Sequence, residues 1–146
     1  MRILNLYAGI GGNRKLWENA EIVSVELNPQ IAEIYKDLYP NDTLIIADAH
    51  EYLLNNFNKG FDFIWSSPPC QSHSSFRQNI GVRFRGVKPE YPDMRLYQEI
   101  ILLKHNIGNK GVWFVVENVT PYYLPLIRPD KQIKRHWFWT NIDFIE

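Results

Sequence analysis

The chain has 146 residues, 45% of them hydrophobic and 14% aromatic, which supplies the core of one domain and argues against a disordered segment. With 16 basic and 16 acidic side chains the formal net charge is zero, so the chain is not a polycation and any nucleic-acid surface must be local or come from elsewhere. A single cysteine excludes an internal disulfide framework and a multi-cysteine metal site, and with no signal peptide or apolar span the sequence reads as a reducing, cytoplasmic protein without membrane or metal association.

Short apolar runs alternate with helical stretches. Ile3–Tyr7 predicts a buried strand, ended by Gly9, Gly11 and Gly12, and Arg14–Asn19 a short helix. Ile22–Glu26 predicts a second strand. Pro29 then starts a helix with Ile31, Ile34 and Leu38 on one face, and Pro40 stops it. Leu44–Ala47 and Phe61–Trp65 read as further strands, with a helix over His50–Phe57 between them. From Pro68 to Pro92 no period is visible, and non-periodic stretches of such length are often functional. Leu96–Asn106 predicts a helix, with Ile100, Leu103 and Ile107 among its apolar positions, and Val112–Val116 a fifth strand. Trp137–Trp139 and Ile142–Ile145 are expected strands near the end. This alternation predicts an α/β fold with a doubly wound, mostly parallel sheet, in a single domain over residues 1–146.

In such a sheet, ligands sit beyond the carboxyl ends of the strands, and five of these ends are distinctive. The first carries Tyr7-Ala8-Gly9-Ile10-Gly11-Gly12, a tight turn that either approaches a ligand or only reverses the chain. Glu26 ends the second strand. It can accept hydrogen bonds from ribose hydroxyls or sit at a helix start. Asp48 follows the third strand and can meet an adenine amino group or cap the next helix. Together the three describe a nucleoside cofactor across the sheet edge. The fourth strand leads into Ser66-Ser67-Pro68-Pro69-Cys70-Gln71, where two prolines stiffen the backbone around a thiol. The fifth leads into Val116-Glu117-Asn118-Val119, bringing a carboxyl group to the same edge for acid–base work or for a structural contact.

Gly9-Ile10-Gly11-Gly12, Glu26, Asp48, Pro69-Cys70-Gln71 and Glu117-Asn118-Val119 resemble, in order, the motifs of cytosine-5 DNA methyltransferases. The resemblance implies the Rossmann-like fold of S-adenosylmethionine-dependent methyltransferases. It implies that Tyr7, Gly9, Ile10, Gly11, Glu26, Leu27, Asp48 and Pro69 hold S-adenosylmethionine. Cys70 would attack carbon 6 of an extruded cytosine and Glu117 would protonate N3. The loop after Cys70, with Gln71, Ser74, Arg77, Arg83 and Arg85, would close over DNA, with Asn118, Lys134 and His136 as further DNA contacts. His73 reads as a polar loop residue rather than a metal ligand, having no second ligand at suitable spacing.

The sequence departs from the family in three respects. Asn5 stands where the family has Asp, which removes a charge near the cofactor. Gln132-Ile133-Lys134-Arg135-His136 resembles the family's Q-x-R-x-R element, but Lys134 and His136 replace the arginines, leaving Arg135 to take over the catalytic pyrimidine contacts. Asp93-Met94-Arg95 resembles a further family motif. The family's target recognition domain and last motif do not follow, which fits an excised fragment, a split enzyme completed by a second polypeptide, or a compact enzyme of bacterial or phage type, as in restriction-modification. The competing readings are a non-catalytic cofactor-binding subunit and a tRNA cytosine-5 methyltransferase.

Overall fold

The computed structural model describes residues 1–107 and 110–143. Its elements are β1 (Arg2–Leu6), β2 (Glu21–Glu26), α1 (Pro29–Leu38), β3 (Thr43–Ile46), α2 (Ala49–Asn56), β4 (Phe63–Ser66), α3 (Arg83–Arg85), α4 (Arg95–Asn106), β5 (Trp113–Val119), β6 (Lys131–Ile133) and β7 (His136–Thr140). The seven strands form one sheet in the order β3-β2-β1-β4-β5-β7-β6. Strands β1 to β5 run parallel, while β7 is antiparallel to both β5 and β6. The predicted α/β, Rossmann-like architecture is therefore the observed one. Among the described residues no helix is long and apolar enough to cross a membrane.

Strand periodicity sorts the side chains onto two faces. Leu4, Leu6, Val23, Val25, Ile64, Phe114 and Val116 pack against Leu53 of α2 and Leu96, Ile100 and Leu103 of α4 to form the main core. The other face is more polar. A relay of donors runs across it from Asn5 to Ser24 (3.2 Å), Ser24 to Tyr35 (2.6 Å) and Tyr35 to Asp42 (2.7 Å). Tyr35 reaches into this relay from α1, and that changes which side of the helix is buried. Ala32 and Tyr35 are covered, while Ile34 and Leu38, expected to face inward, are 49% and 56% exposed. A satisfied hydroxyl chain, not an aliphatic stripe, docks this helix.

Several expected boundaries moved. The first helix shrinks to a 3-10 turn at Arg14–Leu16. The stretch read as non-periodic contains a π-helical turn at Arg77–Val82 that runs into α3 and ends at Gly86, whose φ of 65° suits a glycine C-cap. β5 extends through Val119 because β7 pairs with Glu117-Asn118-Val119. β6 was not foreseen. The expected strand over Ile142–Ile145 lies half outside the described residues, and Ile142 itself sits in a bend.

Candidate active site

The carboxyl ends of β1 to β4 enclose a cavity of about 630 Å³ whose walls include Tyr7, Glu26, Leu27, Asp48, Pro69 and Gln71. That volume suits a small organic ligand. Five of the expected cofactor residues are therefore wall residues. Gly9, Ile10 and Gly11 are not among the lining side chains. Gly11 serves packing instead: its φ is 84°, and a Cβ there would collide with the Tyr39 ring. Gly9 donates its backbone N–H to Glu26 Oε2 at 2.9 Å, so it aims the carboxylate.

Glu26 also accepts from the Asn28 N–H at 2.9 Å, and Asn28 in turn caps α1 through Gln30 and Ile31. Each oxygen thus holds one backbone donor and retains acceptor capacity for hydroxyl groups. Asp48 caps α2 by accepting from the Glu51 N–H at 3.0 Å, with the Arg95 guanidinium 3.9 Å away. At both carboxylates a structural role coincides with a place on the cavity wall. Sequence reasoning missed Asn28, Pro29, Ile31, Ala49, Ser67 and Arg95 as wall residues. The Asp93-Met94-Arg95 segment was the available signal for the last. Arg95 is held by a fork onto Asp93, which keeps the Asp93 carboxyl below the usual carboxylate range.

Asn5 is fully buried and uses both ends of its amide. It donates to Ser24 and accepts from Asn13 Nδ2 at 2.8 Å. A carboxylate could not donate there, so the amide belongs to the relay that ties the glycine turn to the sheet.

Behind the cavity wall lies a buried carboxylate that the sequence did not reveal. Glu99, 1% exposed, accepts from Tyr7 Oη and Ser66 Oγ, both at 2.5 Å, and meets His50 Nδ1 at 3.0 Å. Burial, with the Glu99 charge and hydrogen bond adding, pushes the Tyr7 phenol far up, so it remains a donor. The network joins the ends of β1 and β4, which carry the cavity wall and the thiol loop.

Cys70 is half-buried in the loop after β4. Its carbonyl takes the N–H groups of His73 and Ser74, each at 3.0 Å, giving the loop a tight turn. Burial pushes the thiol up and the Glu117 carboxylate pushes the same way, partly offset by a backbone hydrogen bond. Glu117 lies on β5 and Cys70 in the loop after its parallel neighbour β4, so carboxylate and thiol come to the same edge of the sheet. His73 is 1% exposed, with Nδ1 2.6 Å from Tyr123 Oη, and its burial lowers its proton affinity. It is a loop anchor.

The expected DNA contacts separate. Asn118 is 1% exposed and donates to the Pro68 carbonyl at 3.0 Å, so it clamps the thiol loop instead of meeting solvent. Ser74 Oγ accepts from the Arg77 N–H and caps the helical turn. Arg77 straps its own loop, donating to the Lys88 carbonyl and to Glu90, both at 2.8 Å. Gln71, Arg83 and Arg85 are exposed, with Phe84 between the two arginines. Lys134 and Arg135 form the exposed two-residue turn between β6 and β7, with Lys134 at φ 54°. Arg135, expected at the reaction centre, is on that turn and presents its carbonyl to the Thr120 N–H. The residue that reaches Glu117 is His136, with Nδ1 2.6 Å from Oε1.

Residues 1–122 match the family model described as C-5 cytosine-specific DNA methylase. The chain is 35% identical over 77 residues to the tRNA (cytosine(38)-C(5))-methyltransferase of Homo sapiens, covering 49% of this chain and 20% of that protein. It is 30% identical over 111 residues to the type II methyltransferase M1.HgaI of Avibacterium volantium, covering 72% and 29% respectively. It thus spans less than a third of the length of these relatives. A solved structure of DNMT2 from Spodoptera frugiperda aligns at 26% identity with a TM-score of 0.51, over 81% of this chain and 35% of that one. The S. pombe Dnmt2 methyltransferase aligns with a TM-score of 0.57 over 82% and 34%, and at 23% identity it speaks for the fold.

Proposed function

This chain belongs to the C-5 cytosine-specific DNA methylase family, and from that premise we propose that it is the catalytic domain or subunit of a DNA (cytosine-5)-methyltransferase. The observation that carries the reading is that Cys70, in the loop after β4, and Glu117, on the neighbouring β5, come to the same sheet edge, beside a cavity whose wall includes Pro69 and Gln71 on either side of Cys70.

S-adenosylmethionine, held by Glu26, Asp48 and Tyr7, supplies an electrophilic methyl group when bound. Carbon 5 of cytosine is a poor nucleophile. Addition of the Cys70 thiolate at carbon 6 makes it enamine-like. Glu117 gives a proton to N3 as charge builds there, so no bare anion forms. A base removes the carbon 5 proton after transfer, Cys70 departs, and N3 returns its proton. The cytosine must be extruded from a stacked duplex for Cys70 to reach it. With zero net charge on the chain, sequence specificity on this reading comes from a recognition region beyond these residues, in the same or a second polypeptide.

A second substrate is tRNA, favoured by the likeness to the human tRNA enzyme. One experiment addresses both. DNA and tRNA carrying 5-fluorocytosine are incubated with the protein and S-adenosylmethionine, and adducts are resolved by mass spectrometry. Fluorine at carbon 5 cannot leave as a proton does, so the thioether persists after methyl transfer. The adduct is expected on Cys70, dependent on cofactor and lost in Cys70→Ser. Undiminished cytosine methylation by Cys70→Ser would overturn the mechanism.

A further inference from the structure

We propose that His136 is a positioning residue for Glu117, holding its carboxyl group in both protonation states so that Glu117 can release and recover a proton without losing its place. This inference rests on the methyltransferase reading for its purpose, but the pair itself stands on geometry.

The antiparallel ladder places His136 opposite Val119 and Phe138 opposite Glu117. Residues 117 and 136 are then diagonal neighbours on one face, within reach of long side chains. The two-residue turn at Lys134-Arg135 sets the parity of β7. A slip of one residue would turn His136 to the other face. That register, not side-chain chemistry, selects histidine over the adjacent Arg135 as the partner of Glu117.

The imidazole differs from a guanidinium in one decisive respect. Its Nδ1 can donate to an ionised carboxylate or accept from a protonated one, whereas a guanidinium only donates. The 2.6 Å contact to Oε1 therefore survives the proton's departure to N3 and its return. With its side chain 47% exposed, His136 is also open to solvent. Per turnover the pair gives one proton to N3 and regains it when Cys70 is expelled, so nothing is consumed. The charged or titratable groups around His136 are Glu117 on β5, Cys70 beyond Glu117 in the loop after β4, Lys134 and Arg135 in the turn, and Lys131 on β6, opposite Phe138.

Cys70, the sole thiol, is a built-in reporter, because Glu117's charge opposes its ionisation. Alkylation by iodoacetamide is followed from about pH 5.5 to about pH 10, with no substrate or cofactor. The native protein is expected to show an extra limb below the thiol limb, and His136→Gln only the thiol limb. His136→Arg, with a fixed positive charge, should react roughly threefold to tenfold faster near neutral pH. In a Glu117→Gln background, His136→Gln should change the profile little, since the effect runs through Glu117. Superimposable profiles for native, His136→Gln and His136→Arg would overturn the proposal. Methyl transfer to cytosine is measured in parallel, where His136→Arg should shift the pH dependence of kcat and leave the KM for S-adenosylmethionine unaltered. Coupled alkylation profiles without methyl transfer, once the recognition region is supplied, would support the His136 pairing and overturn the methyltransferase reading. Active variants with unshifted pH dependence would do the reverse.

Discussion

Replacing Glu99 should destabilise the domain more than any other single polar change at the site. The carboxylate is 1% exposed and serves Tyr7, Ser66 and His50 at 2.5, 2.5 and 3.0 Å. In Glu99→Ala all three lose their acceptor, and the Ser66 hydroxyl, at 0% exposure, has no route to water. A charge-assisted hydrogen bond contributes about 1.5–3 kcal/mol, and an orphaned buried group costs about 1–3 kcal/mol. These losses overlap, and relief from burying a carboxylate offsets part of them, so the net expectation is about 3–5 kcal/mol, as for breaking a buried ion pair. At roughly 2–4 °C per kcal/mol for a chain of this size, Tm should fall by roughly 10 °C or more. Glu99→Gln keeps the shape and one carbonyl acceptor, and the hydroxyls can rotate to accept from its amide, so about 1–2 kcal/mol is expected. Tyr7→Phe should cost a similar amount and be less than additive with Glu99→Gln, because the two share a bond. Thermal and urea unfolding followed by circular dichroism measure these three variants and the double variant beside the native protein. A Tm for Glu99→Ala within about 2 °C of native, or strict additivity in the double variant, would refute the hub.

Three other perturbations follow from the same geometry. Gly11→Ala should destabilise by about 2 kcal/mol or more in urea unfolding, because the methyl group meets the Tyr39 ring at a φ of 84° that alanine disfavours. Glu26→Ala should weaken S-adenosylmethionine binding by about 1.5–3 kcal/mol in calorimetry; unchanged affinity would remove Glu26 from the cofactor site. Burial lowers the His73 proton affinity in the folded state, so below the ordinary imidazole value the unfolded chain binds more protons. Stability should therefore fall as pH drops from about 6.5 toward the folded value, and this slope should flatten in His73→Gln.

Strand–helix alternation, the glycine turn and the residues at five strand ends were legible because each is local. A period of two or of 3.6, a proline or a glycine announces itself within a few residues, and the chemistry-bearing side chains sit at the ends such patterns define. Cys70, Glu117, Glu26 and Asp48 were located this way, as was the parallel sheet. Partnership was not legible, because it depends on register between segments far apart in the chain. Whether Arg135 or His136 meets Glu117 turns on the parity of β7 against β5, across 19 residues. Asn118 could be read as a DNA contact until the Pro68 carbonyl came within 3.0 Å of it. Glu99 carries no local signal, since nothing in its neighbourhood tells that Tyr7, 92 positions away, will donate to it. Ile34 and Leu38 carried the stronger hydrophobic signal, yet Tyr35 took the interior because Ser24 and Asp42 offered its hydroxyl partners in space. Periodicity determined which of the main elements form; their exact ends, the short β6 and the burial of polar groups, which need a partner of matching geometry, were decided by tertiary structure.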